Sequence, residues 1–323
     1  MTASNPSRRR VVSASLFVVI VAAHAVFWRS GADRMRDEID AWIAGQRAAG
    51  VDVSHGAVAI GGYPFLWRAS VADVEIADPA SASWRADRLN VVYNLAAPQS
   101  IALVPRGDQR VALADGTQID ATATAARLDI GGAPGGGWQM SLQARGSVVS
   151  VAETRGDVGA LMLDIAPHRD DPTVLAIRMT MNDAVITGST SAAMIEQVLA
   201  SVDISAAAAL SSPSAWRAAG GAVAIAVEAA AEDAAGSLRG SVSLDASGFP
   251  QGVLQTDVER PGGLARVLSA AGALTEEDAR LAEAGLTLAA FAQGGRVKGP
   301  ITLEDGQAAF AGAPLGALPQ IIP

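Results

Sequence analysis

The side chains able to do chemistry are scarce. The chain of 323 residues has three histidines, His24, His55 and His168, and no cysteine. Imidazole and thiolate are the usual zinc ligands, and they supply most bases and nucleophiles near neutral pH. His55 and His168 stand 113 residues apart and no His-x-x-x-His pair occurs, so no helix offers two imidazoles to one zinc ion. The absence of cysteine removes disulfides, zinc–thiolate sites, iron–sulfur clusters and thiol nucleophiles together. No Gly-x-Ser-x-Gly elbow occurs either. Gly131 to Gly137 is glycine-rich but never spells Gly-x-Gly-x-x-Gly, so it reads as a flexible loop. Lys298 is the single lysine, between Val297 and Gly299, and no phosphate-binding P-loop can be built around it. Carboxylates remain. His168-Arg169-Asp170-Asp171-Pro172 has the residue types of a metal site or an acid–base pair, yet its Asp and Pro content reads as a solvated turn. Asp73 and Glu75, two apart on a strand, would point the same way like a carboxylate dyad. Protective charges on an edge strand are the simpler account. No catalytic residue, metal ligand or cofactor is assigned, and no enzyme activity is expected.

Charge excludes another class. Arg8, Arg9, Arg10 and Arg29 are the only charged residues in the first 30, which leaves 20 basic and 33 acidic groups in the remainder, a net of −13. A body of that sign repels phosphate backbones, so no nucleic acid is expected as partner. Half the residues are hydrophobic and 18% are charged, too apolar for a disordered chain.

The chemistry-poor body must be positioned by something, and the N-terminus supplies it. Three arginines precede an apolar run from Val11 to Trp28, and eighteen helical residues span about 27 Å, close to the hydrocarbon thickness of a bilayer. Residues 1–10 read as a cytoplasmic basic tail, 11–30 as a transmembrane anchor, and 31–323 as one exported β-rich domain, with Phe27 and Trp28 at the far interface. Ala23-His24-Ala25 also fits a signal-peptidase site, so a cleaved signal peptide is the competing reading of 11–30. Both readings export the body. Asp33 to Gly50 follows, with Met35, Ile39, Trp42 and Ile43 on one face, as an amphipathic helix packing on the sheet and stopped by Gly50.

From Val51 the apolar period changes to two. Leu89/Val91/Tyr93/Leu95, Trp138/Met140/Leu142, Leu161/Leu163/Ile165 and Leu175/Ile177/Met179/Met181 alternate with more polar residues. Turn signals at Asp78-Pro79, Asp115-Gly116, Asp171-Pro172, Gly248 to Gly252 and Asp305-Gly306 separate them. The expected fold is mainly β with minor α: curved antiparallel sheet, one face apolar, with a few packed helices, preceded by the N-terminal transmembrane helix. In Trp67 to Ile76 the apolar phase slips, which predicts a bulge or bend at Ala72-Asp73. Helices are expected at Ser189 to Val202, at Ser214 to Ala219 with Trp216, at Gly263 to Ala271, and after Thr275 as N-cap. Candidate ligand-facing residues are Tyr63, Phe65 and Trp67, around Pro64, and the thioethers of Met179 and Met181, whose flexibility suits irregular ligands.

These landmarks in order resemble a known family. They are the anchor, the helix with Trp42, Gly62-Tyr63-Pro64-Phe65, Asp78-Pro79, Trp216 before Gly220-Gly221, Gly248-Phe249-Pro250-Gln251-Gly252, and Leu303-Glu304-Asp305-Gly306 before Pro314-Leu315-Gly316-Ala317-Leu318-Pro319. From about Asp33 to Ile321 the chain is similar to the uncharacterised envelope family catalogued as domain of unknown function 2125, of Gram-negative bacteria. The resemblance implies an envelope location and a β-rich fold akin to the curved sheets of AsmA-like lipid-handling proteins; it brings no catalytic residues. The expectation is a single-pass inner-membrane protein with its C-terminal domain in the periplasm. That domain would hold lipid or acyl chains on a curved sheet. The alternative is a scaffold component whose acidic surface meets a basic envelope protein partner.

Overall fold

Turn chemistry cuts the chain into long strands. Asp78 accepts the Ala80 N–H at 2.9 Å and the Ser81 hydroxyl at 2.8 Å, and Asn94 caps the next turn through the Ala96 N–H at 2.9 Å. Asp171 holds Thr173 in the same way, and Asp305-Gly306, with φ of 51° and 71°, forms the two-residue turn expected there. The computed structural model describes residues 6–133, 136–189, 191–232 and 234–321, without the side chains of 6–16, 18 and 315. The basic tail therefore lies largely outside the described residues, as does part of the Gly131 to Gly137 loop.

The described chain forms two units, Met1–Asp115 and Gly116–Pro323. The first contains helix α1 (Pro6–Ala48) and strands β1 (Asp52–Ser54), β2 (Val58–Gly61), β3 (Leu66–Asp78), β4 (Ala82–Asn94) and β5 (Ser100–Leu113). Strands β1 and β2 share one side of β3, which pairs on its other side with β4, and β4 with β5, all antiparallel. Strand β3 is thus interior, not the edge strand expected for Asp73 and Glu75. Helix α1 is continuous through the Arg29–Asp33 region, where two separate helices were expected, and Gly50 beyond its end has φ +88°. Ile43 is buried and Met35 and Ile39 are half-buried, whereas Trp42 is 50% exposed, so the packed face is narrower than the spacing predicts. Among the described residues no helix is long and apolar enough to cross a membrane; the side chains of 11–16 and 18, much of the apolar run, lie outside them.

The second unit is an antiparallel meander. Its first strands are β6 (Gln118–Gly132), β7 (Trp138–Val151), β8 (Thr154–Pro167), β9 (Leu175–Thr187) and β10 (Ala192–Ile204). After α2 (Pro213–Ala218) come β11 (Ala222–Ala231), β12 (Ala234–Leu244) and β13 (Pro250–Glu259), then α3 (Gly262–Ala270) and α4 (Glu276–Ala292), then β14 (Arg296–Glu304), β15 (Gln307–Phe310) and β16 (Ala313–Ala317). Each strand pairs with the next in sequence. The helices sit at strand ends: a Cβ on Gly188 would meet the Ala270 carbonyl, and the Gln293 side chain accepts the Lys298 N–H. Thr275 caps α4 by accepting the Asp278 N–H at 3.1 Å, beside three acids in the first turn.

The slip predicted at Ala72-Asp73 is present and recurs. Asp73 has φ +48° and separates buried Val71 from buried Val74. In the next strand the register jumps between Ala86 and Arg88, opposite Gln109 and Arg106 of β5, which leaves Gly107 and Asp108 as a bulge. The second unit carries its own row. Gly146 (φ +52°) faces Thr124, Gly159 faces Asp183 (φ +54°), and Glu196 is the extra residue where β10 shifts against β11. At each point the apolar set changes phase, because a one-residue slip exchanges the two faces of a strand. This explains a misassigned strand. Ser189 to Val202 is not a helix; most of it is β10, whose inward residues Ile195 and Val198 flank the slip and so stand three apart, imitating a helical period.

Charged pairs line the polar face, across strands and along one strand. Arg178 holds Asp203 at 2.8 and 3.2 Å, and Arg155 holds Asp157 at 2.8 and 2.9 Å, which lowers the Asp157 carboxyl below its usual value. Lys298 at 3.0 Å, seconded by Arg296, lowers Asp257. A carboxyl depressed in the folded state stabilises it above the unfolded value, near 3.8 here, and that contribution is lost as pH falls below it. Asp257→Asn should therefore flatten the loss of urea midpoint below about pH 4 and leave the pH 6–8 plateau shape unchanged.

Gly107, with φ +77°, has no room for a side chain: a Cβ would stand 2.3 Å from Asp87 Oδ2 and 2.9 Å from its Cβ. Gly107→Ala should cost about 1–3 kcal/mol in urea unfolding. Gly61→Ala, where a Cβ meets nothing within 4 Å and φ is ordinary, should be near neutral.

Candidate functional site

Two groups of residues stand out, one in each unit. In the second unit, register places Met179 between Leu163 and Ala200, and Met181 between Leu161 and Val198. The neighbouring rows on the same face are Ile165, Ile177, Val202 and Ile225, and Pro167, Leu175, Ile204 and Val223. It is an uninterrupted apolar surface, and every one of these residues is half-buried. Ile195, past the slip on the same strand β10, is 8% exposed by contrast. A strand face built from Ile, Leu, Met and Val that stops at half burial retains hydrocarbon in contact with water.

At one end of this face the rows run into a cavity of about 350 Å³ lined by Ile204, Val223, Val242, Leu244, Pro250 and Trp216. Trp216 is fixed by α2, whose N-cap Ser212 accepts the Ala215 N–H, and its indole donates to the Ser205 carbonyl at 2.7 Å. Gly221 is obligatory beneath it, since a Cβ would lie 2.2 Å from the ring. Ile321 of the C-terminal tail closes one side, its N–H donating to the Gly248 carbonyl at 2.9 Å. The sequence signal was Trp216 followed by Gly220-Gly221; nothing in it announced the cavity.

In the first unit Tyr63 and Trp67, two of the candidate ligand-facing residues, clasp α1. Trp67 donates to the Trp28 carbonyl at 2.9 Å, Trp28 donates to the Leu66 carbonyl at 3.0 Å, and His24 Nε2 meets the Pro64 carbonyl at 2.9 Å. The rings of Trp28 and Tyr63 meet edge to face at 5.6 Å, and Trp67 stacks on Tyr93 at 5.4 Å. Phe65 points away from this cluster and is 76% exposed. His24 is thus engaged at the helix–sheet junction. His55 lies against the Gly56 carbonyl and His168 accepts the Asp170 N–H within its turn. Among the described residues no three His, Asp or Glu side chains are grouped to hold a metal ion. A row on α4 that the sequence reading missed also faces outward: Leu281, Leu288 and Phe291, the last 86% exposed.

The clasp generates a test. A Cβ at Gly31 would stand 1.9 Å from Trp67 Cζ2, so Gly31→Val must displace the indole and should cost about 1–3 kcal/mol as overpacking. Trp67→Phe removes both the indole N–H and part of the ring that lies on Gly31, for about 1–4 kcal/mol. Guanidinium unfolding followed by tryptophan fluorescence checks both, and a near-neutral Gly31→Val would mean that the indole is not packed against the helix.

No curated protein and no solved structure matches the chain. A family model described as an uncharacterized protein conserved in bacteria matches residues 28–319, which takes in Trp28 and Trp67 of the clasp, the strands of both units and the Trp216 cavity. Nearly the whole chain is covered, and the protein belongs to the DUF2125 family.

Proposed function

We propose that this protein is a membrane-tethered holder of lipid hydrocarbon in the bacterial envelope, with no reaction of its own. In this reading Arg8 to Arg10 stay in the cytoplasm, Val11 to Trp28 of α1 cross the inner membrane, and the two sheet units stand in the periplasm. The observation that carries the reading is the half-buried apolar face around Met179 and Met181, ending in the 350 Å³ cavity beside Trp216. Each methylene moved from water onto such a surface gains about 0.8 kcal/mol, so ten methylenes of one acyl chain offer about 8 kcal/mol before ordering costs. A scaffold role is the second reading, and the exposed row Leu281, Leu288 and Phe291 on α4 favours it.

Native mass spectrometry of the full chain, purified in mild detergent, separates them. The holder should carry lipid near one per chain, and Met179→Asp should reduce that occupancy severalfold while the fold persists. Met179→Ser should cost below about 1 kcal/mol if the side chain faces a ligand trough open to water, against about 2–5 kcal/mol for Ile195→Ala in the packed region. A lipid-free protein that Met179→Ser unfolds would defeat the holder and leave the α4 surface as the candidate.

A further inference from the structure

One end of the first unit is uncharged in an otherwise acidic protein. Three segments without Asp, Glu, Lys or Arg reach it: residues 11–28 of α1, 53–67 through the β2–β3 turn, and 89–105 through the β4–β5 turn. They are held side by side. The clasp ties Trp28 to Leu66 and Trp67, and register sets Leu66 and Trp67 opposite Asn94 and Tyr93. Its surface is apolar: Phe65, Phe27 and Tyr63 are 76%, 55% and 50% exposed, and Ile101 joins them. Both indole N–H groups are already satisfied by backbone carbonyls, which a poorly hydrated setting requires.

Behind the tip charge returns as arginine, and Asp52, which bounds segment 53–67 on its other side, lies opposite Ala77 at the far end of β3. Arg29 ends the uncharged stretch of α1, Arg68 that of β3, and Arg88 and Arg106 bound the β4–β5 segment. Arg88 and Arg106 are cross-strand partners, and Ala72, opposite Arg88, lies four residues along β3 from Arg68, so all three share one face. Two cations directly opposite each other repel unless an anion sits between them. Asp87 and Asp108 lie in the next row, where Asp87 accepts the Asp108 N–H at 2.9 Å, and Asp73 is in the row beyond β4. Between the arginines and the apolar tip there is no carboxylate. Aromatic side chains at a tip, with Arg68 about 10 Å behind Phe65 and Arg88 and Arg106, level with Ala72, about 23 Å behind it along the strands, set an apolar layer before a basic one, as at a bilayer surface.

We propose that this end of the first unit is a membrane-docking surface. Phe65, Tyr63 and Phe27 enter the interfacial layer of the bilayer, Arg68 meets the phosphates of its headgroups, and Arg88 and Arg106 stand farther out as a second basic row facing the anionic surface. The inference rests on the transmembrane reading of α1 and extends it: the domain begins within the bilayer surface and does not stand off on a stalk. The occupant is a lipid bilayer because the exposed aromatics continue the apolar side of the same helix that would cross it.

The natural absence of cysteine makes the test direct. Single-cysteine variants Val21→Cys, Phe65→Cys and Ala80→Cys, labelled with an environment-sensitive fluorophore, are reconstituted as full chains in phosphatidylethanolamine–phosphatidylglycerol vesicles. Ala80 is an exposed residue of the β3–β4 turn, at the other end of β3. Quenching by lipids spin-labelled along their chains should be strong at 21, at least half as strong at 65, and absent at 80. Quenching at 21 without quenching at 65 overturns the docking surface while the anchor stands. No quenching at either site overturns the anchor, and the docking surface falls with it. The triple variant Arg68→Gln, Arg88→Gln, Arg106→Gln touches only exposed side chains and should lower quenching at 65 at least twofold, leaving position 21 unchanged. Unaltered quenching at 65 would remove the arginines from the surface.

Discussion

A single antiparallel sheet with one apolar face has to put that face against something. The interactions within the sheet are settled by pairing: each strand of the second unit bonds to its sequence neighbours, and backbone hydrogen bonding is satisfied along the meander. Pairing does nothing for the side chains. Leu163, Ile177, Met179 and Val202 are lined up by register on one side, yet the helices of this unit dock at strand ends, beside Gly188, Lys298 and Ser205. The half-burial of these residues follows from that arrangement, and the proposed hydrocarbon ligand rests on it. Side chains shielded only by their lateral neighbours lose part of the water contact that a second layer would remove, and retain the rest.

The row of slips is the second constraint. A strand of 13 to 15 residues carries one face for its whole length unless something exchanges the phase. Asp73, Gly107, Gly146, Gly159, Asp183 and Glu196 do so in their own strands, each opposite a partner that also breaks. The match is enforced locally. Glycine stands where the neighbouring strand sends a side chain across, as with Asp87 over Gly107 and Thr124 over Gly146. A left-handed Asp stands where the partner offers the room of a glycine, as with Asp183 beside Gly159. Short polar residues and glycine tolerate these backbone angles at low cost, which is why a β-rich chain keeps Asp inside its strands.

That device also decides what was legible in the sequence. Where alternation runs unbroken, as in Leu175 to Met181 or Ser237 to Leu244, the strand and its apolar side could be read directly. At Trp67 to Ile76 the break was visible because several inward residues flank it on each side. At Ser189 to Val202 too few residues precede Glu196, and a strand with a slip near its start offers the same i, i+3, i+4 spacing as a helix. Trp42 was misjudged for a different reason: spacing gives a helix face, but how much of that face is covered depends on β1 and β3, which spacing does not reveal. The aromatic run around Pro64 was recognised as distinctive, and its partner was not. Nothing in the residues 63–67 encodes that they close on Trp28, forty positions away, because the contacts are made through backbone carbonyls that every sequence has.

Charge placement bears on how such a chain meets a membrane. The body's net of −13 is repelled by anionic lipid, an effect screened beyond about 8–10 Å at physiological salt. Repulsion of that range acts on whatever surface lies nearest the headgroups, so the approach is controlled by the local charge and not by the total. The uncharged segments 11–28, 53–67 and 89–105 remove repulsion at one end of the first unit, and Arg68 replaces it with attraction directly behind, followed by Arg88 and Arg106 level with Ala72. The acids of the slip, Asp73, Asp87 and Asp108, follow immediately, and beyond them the carboxylates outnumber the arginines as they do across the body. An acidic domain with one neutral, arginine-backed end has a preferred side toward a bilayer before any tether acts. The helix clasped by Trp67 leaves the sheet at that same end, so the proposed tether would hold a pose that the surface charge already favours.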